Sequence, residues 1–173
     1  MTLKSLTLVP LLLLLTIAVP VFAQSDNAMA YATPSKSKFV AMPNIPDCVK
    51  IAVERGDPSK GPSVLLLKFQ PGCTIPWHWH TAGETLILVN GSAKMQMKDG
   101  QPMSAKQGDF VYLPGKNVHQ FTSTTSVLLY DLPDGAFDIH YVDKSGNEIP
   151  YGDAIKQVVK VKPASGPTTS VPQ

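Results

Sequence analysis

The chain has 173 residues, with 15 basic and 13 acidic side chains and a formal net charge of +2. Charges this evenly matched make no field that would gather nucleic acid or an anionic membrane surface, so no nucleic-acid partner is expected. The length suits one domain able to bury a real core, and Arg55 is the only arginine, which argues against a substrate gripped through phosphate by guanidinium forks.

Residues 1–23 read as a secretory signal peptide. Lys4 supplies the positive start, an apolar run extends through Leu11 to Leu15 and on to Val19, and Val21-Phe22-Ala23 offers small residues for cleavage after Ala23. Pro10 and Pro20 and the shortness of the run argue against a membrane anchor. Cleavage removes Lys4 and leaves 14 basic residues against 13 acidic, a net of +1. The mature protein is therefore expected in the periplasm or secreted, with no membrane attachment. Residues 24–46, rich in Ser, Asn and Ala and carrying Pro34, Pro43 and Pro46, read as an extended or mobile N-terminal arm. The folded domain is expected over 47–157. Residues 158–173, with Pro163, Pro167 and Pro172, read as a flexible, disordered tail.

Inside the domain, short strand-like runs alternate with turn residues. Val64–Phe69 follows a turn at 57–62, Ile75–His80 follows Pro71-Gly72, and Thr85–Val89 ends at Asn90-Gly91, a strong hairpin signal. Ala93–Lys98 ends at Asp99-Gly100 and Phe110–Leu113 ends at Pro114-Gly115. Val118–Ser123, Val127–Leu132 and Phe137–Val142 complete the series. Apart from the leader, no run of about 12 residues or more has a helical period. This pattern predicts an all-β sandwich or barrel. Ala93, Met95 and Met97 share one face of their strand, which makes Met95 and Met97 candidate pocket walls or plain core.

His78 and His80, separated by one residue on a strand, point to the same face roughly 7 Å apart. With Glu84 nearby and His119 later in the chain, three of the four histidines and one of the three glutamates form one candidate set. Neutral ring nitrogens plus a carboxylate suit a divalent transition metal: Fe, Mn, Ni, Cu or Zn. The bland alternative, a surface coincidence, stays open at this point. Trp77 and Trp79 fall on the opposite face and need a cover. The N-terminal arm, another strand layer or a second subunit could supply it, and a homodimer is the favoured choice. Cys48 and Cys73 are either a disulfide or two buried thiols. Cys73 has the opposite strand parity to His78 if the strand is unbroken, which argues against a thiolate ligand. Asp138 and His140 share a face opposite Phe137, Ile139 and Tyr141, so His140 reads as a surface or interface residue, and Asp109 reads as a turn residue.

The segment Gly72, five residues, His78-x-His80, three residues, Glu84, six residues, Gly91 resembles the first motif of the cupin superfamily. Gly108, five residues, Pro114, four residues, His119 resembles the second. Two positions depart from it: Gly115 stands one place before the usual glycine, where Lys116 sits, and Ser123 replaces a frequent asparagine. The resemblance implies a single cupin-type jelly-roll β-barrel with a metal held by His78, His80, Glu84 and His119, similar to small single-domain bacterial cupins with a signal peptide. It also implies a small-molecule ligand or substrate. The expected function is a metal-dependent oxidoreductase, dioxygenase-like, acting on a small chelating organic substrate, with Glu84 as catalytic base. The alternative is a non-catalytic module that binds metal or a small ligand.

Overall fold

The computed structural model describes residues 29–158. The leader read over 1–23 and nearly all of the tail read over 158–173 lie outside the described residues. Ten strands and one helix follow in chain order: β1 Val49–Gly56, β2 Ser63–Phe69, β3 Thr74–Trp79, β4 Glu84–Asn90, β5 Ser92–Met97, β6 Met103–Lys106, β7 Phe110–Leu113, β8 His119–Ser123, β9 Val127–Pro133, β10 His140–Tyr141 and α1 Tyr151–Val158. Every strand pairing is antiparallel. One sheet runs β1-β2-β9-β4-β7 and the other β10-β3-β8-β5-β6. Chain neighbours often sit in different sheets, which is the jelly-roll way of facing two apolar surfaces against each other.

Strand alternation builds the core. In β9, Val127, Leu129, Asp131 and Pro133 are buried while the residues between them are only partly so. In β5, Ala93 and Met95 point inward against Phe121 of β8 and its neighbours. The interior strand β2, between β1 and β9, is apolar almost throughout, as a strand covered on both faces should be. The Asn90-Gly91 turn leads from β4 into β5, but the two strands lie in different sheets, so the hairpin its sequence signals does not form. Gly91 has φ +85°, and a Cβ there would lie 2.1 Å from the Ser126 carbonyl oxygen, so both conformation and space demand glycine.

Cys48 and Cys73 are joined as a disulfide, with Cα atoms 5.7 Å apart. Cys48 precedes β1 and Cys73 precedes β3, so the bond ties the two sheets together at one end of the barrel. It also removes Cys73 from any list of thiolate ligands.

Three elements were not legible from periodicity. β1 is bulged between Val53 and Arg55, which breaks its alternation. β6 is a four-residue edge strand of weak β-formers. α1 has eight residues, too short to show a helical period, and it is held by tertiary packing of the fully buried Ala154 and by the Tyr141–Tyr151 ring contact at 5.5 Å. The run Phe137–Val142 contributes only the pair His140–Tyr141 as strand. β10 pairs with β3, and Trp79 stacks flat on His140 with ring centroids 3.9 Å apart. The cover on this face of Trp79 thus comes from the neighbouring strand of the same sheet, and Trp79 stays partly exposed. In the described part of the arm, Val40 bridges to Ile51, and the Asn44 carbonyl accepts a hydrogen bond from the Tyr141 hydroxyl at 2.7 Å. Among the described residues no helix is long and apolar enough to cross a membrane.

The disulfide closes a 25-residue separation, and removing it in a Cys48→Ala/Cys73→Ala protein should lower unfolding free energy by about 3.5 kcal/mol on the chain-entropy model. Urea unfolding of both proteins under oxidising conditions measures the difference. Equal midpoints and slopes would refute the stapling role.

Candidate metal centre

The histidine pair is placed by an irregular strand. β3 pairs with β8 at Ile75–Phe121 and again at His78–His119, with a register shift between. Pro76 lies in that shift, where the absence of a backbone N–H does no harm to the ladder. The shift resets side-chain parity: Ile75 and His78, three residues apart, both face the interior and are both buried. Simple alternation therefore does not relate Cys73 to His78, and it is the disulfide that excludes Cys73 as a thiolate ligand. His80 lies just past the end of β3, His119 opens β8, and Glu84 opens β4 in the opposite sheet.

The three imidazoles His78, His80 and His119 each offer one ligand atom, all within 4.8 Å of one another, and all three are buried. Each ring is aimed by a backbone carbonyl. His78 Nδ1 meets the Pro76 oxygen at 2.6 Å, His119 Nδ1 meets the Asn117 oxygen at 2.9 Å, and His80 Nδ1 bonds the Asp138 oxygen. A carbonyl only accepts, so each Nδ1 carries the hydrogen and each Nε2 is left to carry a lone pair. Asp138 is itself anchored, since its Oδ1 accepts from the Thr81 backbone N–H at 2.8 Å.

Glu84 completes the group. Its Oε1 lies 3.2 Å from His119 Nε2 and 3.6 Å from His80 Nε2. Two ligand atoms each about 2.1 Å from one ion stand about 3 Å or a little more from each other, so these separations fit shared coordination. They also raise a charge question. Both nitrogens of His119 face acceptors, Asn117 O and Glu84 Oε1, and a neutral imidazole can satisfy only one. A positive charge, proton or metal ion, belongs between Nε2 and the carboxylate. By this test the residues present fit a divalent cation.

Ionisation in the site follows from burial and crowding. Burial holds His78 well below the ordinary imidazole range, and the neighbouring His119 and His80 push it the same way. Burial alone would raise Glu84, but the hydrogen bond with His119, the charges of His80 and His119 and a hydrogen bond from Asp131 together outweigh it and bring it down. Asp131, on β9, is pushed well above the carboxylate range by burial, then by the charge of Glu84 and their hydrogen bond. The pair therefore holds one proton, on Asp131, which donates to Glu84. Asp131 is 2% exposed and its Oδ1 has no hydrogen-bond partner. Sequence reading passed over this residue. Its signal was an acid at an inward position of the Val127, Leu129, Asp131 alternation.

The turn before His119 explains the displaced glycine. A Cβ on Gly115 would lie 2.5 Å from the Thr81 carbonyl oxygen, so close approach of the turn to 81–83 requires glycine there. Lys116 then takes the left-handed conformation, φ 63°, and its N–H donates to the His80 carbonyl at 2.7 Å. One short turn thus braces both His80 and, through Asn117, His119. Met95 lines an interior cavity with His78, Glu84 and His119, whereas Met97 borders a separate open cleft beside Lys98 and Lys116. Asp109 serves its turn, accepting from the Lys106 N–H at 2.8 Å. His140 is partly exposed, between Asp138 at 3.3 Å and Glu148 at 3.5 Å.

Residues 65–132 match the family model described as a cupin domain. No curated protein matches the sequence significantly. Solved structures match in fold. An RmlC-like cupin protein from Ralstonia eutropha JMP134 is 20% identical over 73% of this chain and 82% of its own, with a TM-score of 0.54. The polyketide cyclase RemF from Streptomyces resistomycificus is 16% identical over 67% of this chain and 87% of its own, with a TM-score of 0.56. A putative ethanolamine utilization protein Q from Salmonella typhimurium LT2 is 21% identical over 60% of this chain and 84% of its own, with a TM-score of 0.52. The chain thus carries a cupin-domain match over 65–132, set within two antiparallel sheets, and shares its fold with these solved structures.

Proposed function

We propose that this protein is a metal-dependent oxidoreductase of the cell envelope, dioxygenase-like, acting on a small chelating organic substrate. One observation carries the reading: three imidazoles with Nδ1 tied back to carbonyls and one buried carboxylate converge at the end of an apolar interior. His78, His80, His119 and Glu84 would hold the ion. A divalent transition metal bound there supplies Lewis acidity and, where redox-active, one-electron chemistry. The chain's own contribution is orientation and proton storage. Glu84 Oε1 is placed to accept a proton from a substrate hydroxyl, and Asp131 tunes it by donating from behind. The buried surroundings exclude water and strengthen each of these interactions. The disulfide supports an oxidising compartment, as does the leader read at 1–23, so we place the mature protein in the periplasm or outside the cell.

Metal analysis of the protein purified from that compartment tests the site. His78→Ala, His80→Ala and His119→Ala should each lose most of the bound metal, because each removes a proposed ligand. Full occupancy in all three would exclude this centre. Oxygen uptake by the wild type with catechol-like and enediol compounds tests the activity, and Glu84→Gln should slow it about 10²-fold or more. A metal-loaded wild type that binds such compounds and returns them unchanged would make the protein a non-catalytic holder.

Acid should weaken the metal-free fold. His78 is lowered in the folded state and titrates near its ordinary 6.5 when unfolded. Between those values the unfolded chain binds more protons, so stability rises with pH there and is lost as pH falls below about 6.5. Urea unfolding in chelator from about pH 7.5 to about pH 5 measures the slope, and His78→Phe should flatten it. Parallel profiles for the two proteins would contradict the neutral, buried His78.

A further inference from the structure

Between the sheets, on the inner side of the candidate ligands, lies a cavity of about 30 Å³. Its walls include Leu67, Leu86, Met95, Phe121 and Leu129, and its only polar groups are His78, Glu84 and His119 at one end. His80 is not among its walls and instead faces Phe137, with ring centroids 5.2 Å apart. The ligand set therefore has an apolar inner side and a different outer side.

Size and chemistry narrow the occupant. One water-sized body needs about 10–15 Å³, so the cavity has room for about two, while an apolar cavity that takes benzene is about 150 Å³. An aromatic or sugar-like substrate does not fit. Water fits by size, but a buried water wants two to four polar partners, and aliphatic and aromatic walls offer none. Once the ligand set holds an ion the polar end is committed as well, with each Nδ1 on a carbonyl, each Nε2 toward the ion and Glu84 between His119, His80 and Asp131. Vacant space inside a core is destabilising, and a longer side chain at any of several wall positions would fill it.

We propose that this cavity holds dioxygen, an apolar diatomic, against the inner side of the ligand set. The inference rests on the metal-dependent oxygen chemistry proposed above and adds where the dioxygen sits. The apolar walls let the gas partition into a space too small for a chelating organic molecule.

Xenon and nitric oxide are the probes. Crystals of metal-free protein under xenon pressure should show xenon in this cavity, and Leu129→Phe and Leu86→Phe should each abolish it. In ferrous-loaded protein, stopped-flow nitric oxide binding should slow several-fold in the same two variants while their metal content stays that of the wild type. Using two variants guards against one failing to fold. A wild-type cavity without xenon overturns the proposal, as does a filled cavity with an unchanged nitric oxide rate. Xenon is read without metal, so its failure is distinct from failure of the metal site. A wild type that takes up xenon but no metal keeps the cavity and loses the dioxygen assignment.

Discussion

Three N–H to carbonyl hydrogen bonds organise the centre of this protein. Pro76, Asp138 and Asn117 each offer a backbone oxygen to the Nδ1 of His78, His80 and His119. Because the acceptor is a carbonyl, the tautomer follows, and three Nε2 lone pairs are turned toward a common point. Two of the acceptors lie two residues before their histidine, so local backbone shape suffices. The third is long-range: Asp138 is 58 residues beyond His80. His80 is therefore oriented only when the segment entering β10 has closed over β3, and the Thr81 N–H on Asp138 Oδ1 locks that closure.

Charge in the site is balanced from the opposite sheet. Glu84 comes from β4 and Asp131 from β9, adjacent strands that place the two acids on one inner face. In so apolar a setting two ionised carboxylates side by side would be prohibitively unfavourable, so Asp131 keeps its proton and Glu84 keeps its charge. The single negative charge then faces three imidazoles, a cavity that favours a cation more strongly than the histidines alone would. Asp131 also carries an unpartnered Oδ1 within the core, an unfavourable arrangement of the kind that concentrates at functional sites.

The turn at 114–117 shows how a departure from a motif can preserve geometry. Gly115 is needed where the turn nearly touches Thr81, and the left-handed conformation moves on to Lys116 at a strain of order 1–2 kcal/mol. The hydrogen bond from Lys116 N–H to the His80 carbonyl and that from His119 Nδ1 to the Asn117 carbonyl offset the strain. The same few residues thus set the positions of two histidines that lie far apart in the chain.

Local chemistry determined much of this protein by sequence alone. Turn residues such as Asn90-Gly91 and strand alternation such as that of β9 read directly as β-structure, because both depend on neighbours within a few residues. The close spacing of His78, His80 and Glu84 is local in the same sense, whereas His119 entered the set through its own, separate motif. Tertiary structure decided what depends on distant partners. The bulge at Pro76 reset the parity of β3, contact with β3 made a helix of eight residues that propensity would not sustain, and the packing of β10 covered Trp79 with His140. Asp131 joined the site only because β9 lies beside β4, and the cavity behind the ligands exists only where two sheets from distant parts of the chain fail to fill the space between them. Hydrogen-bond acceptors, buried charge and empty volume are properties of three-dimensional neighbourhoods, and a linear order of residues does not contain them.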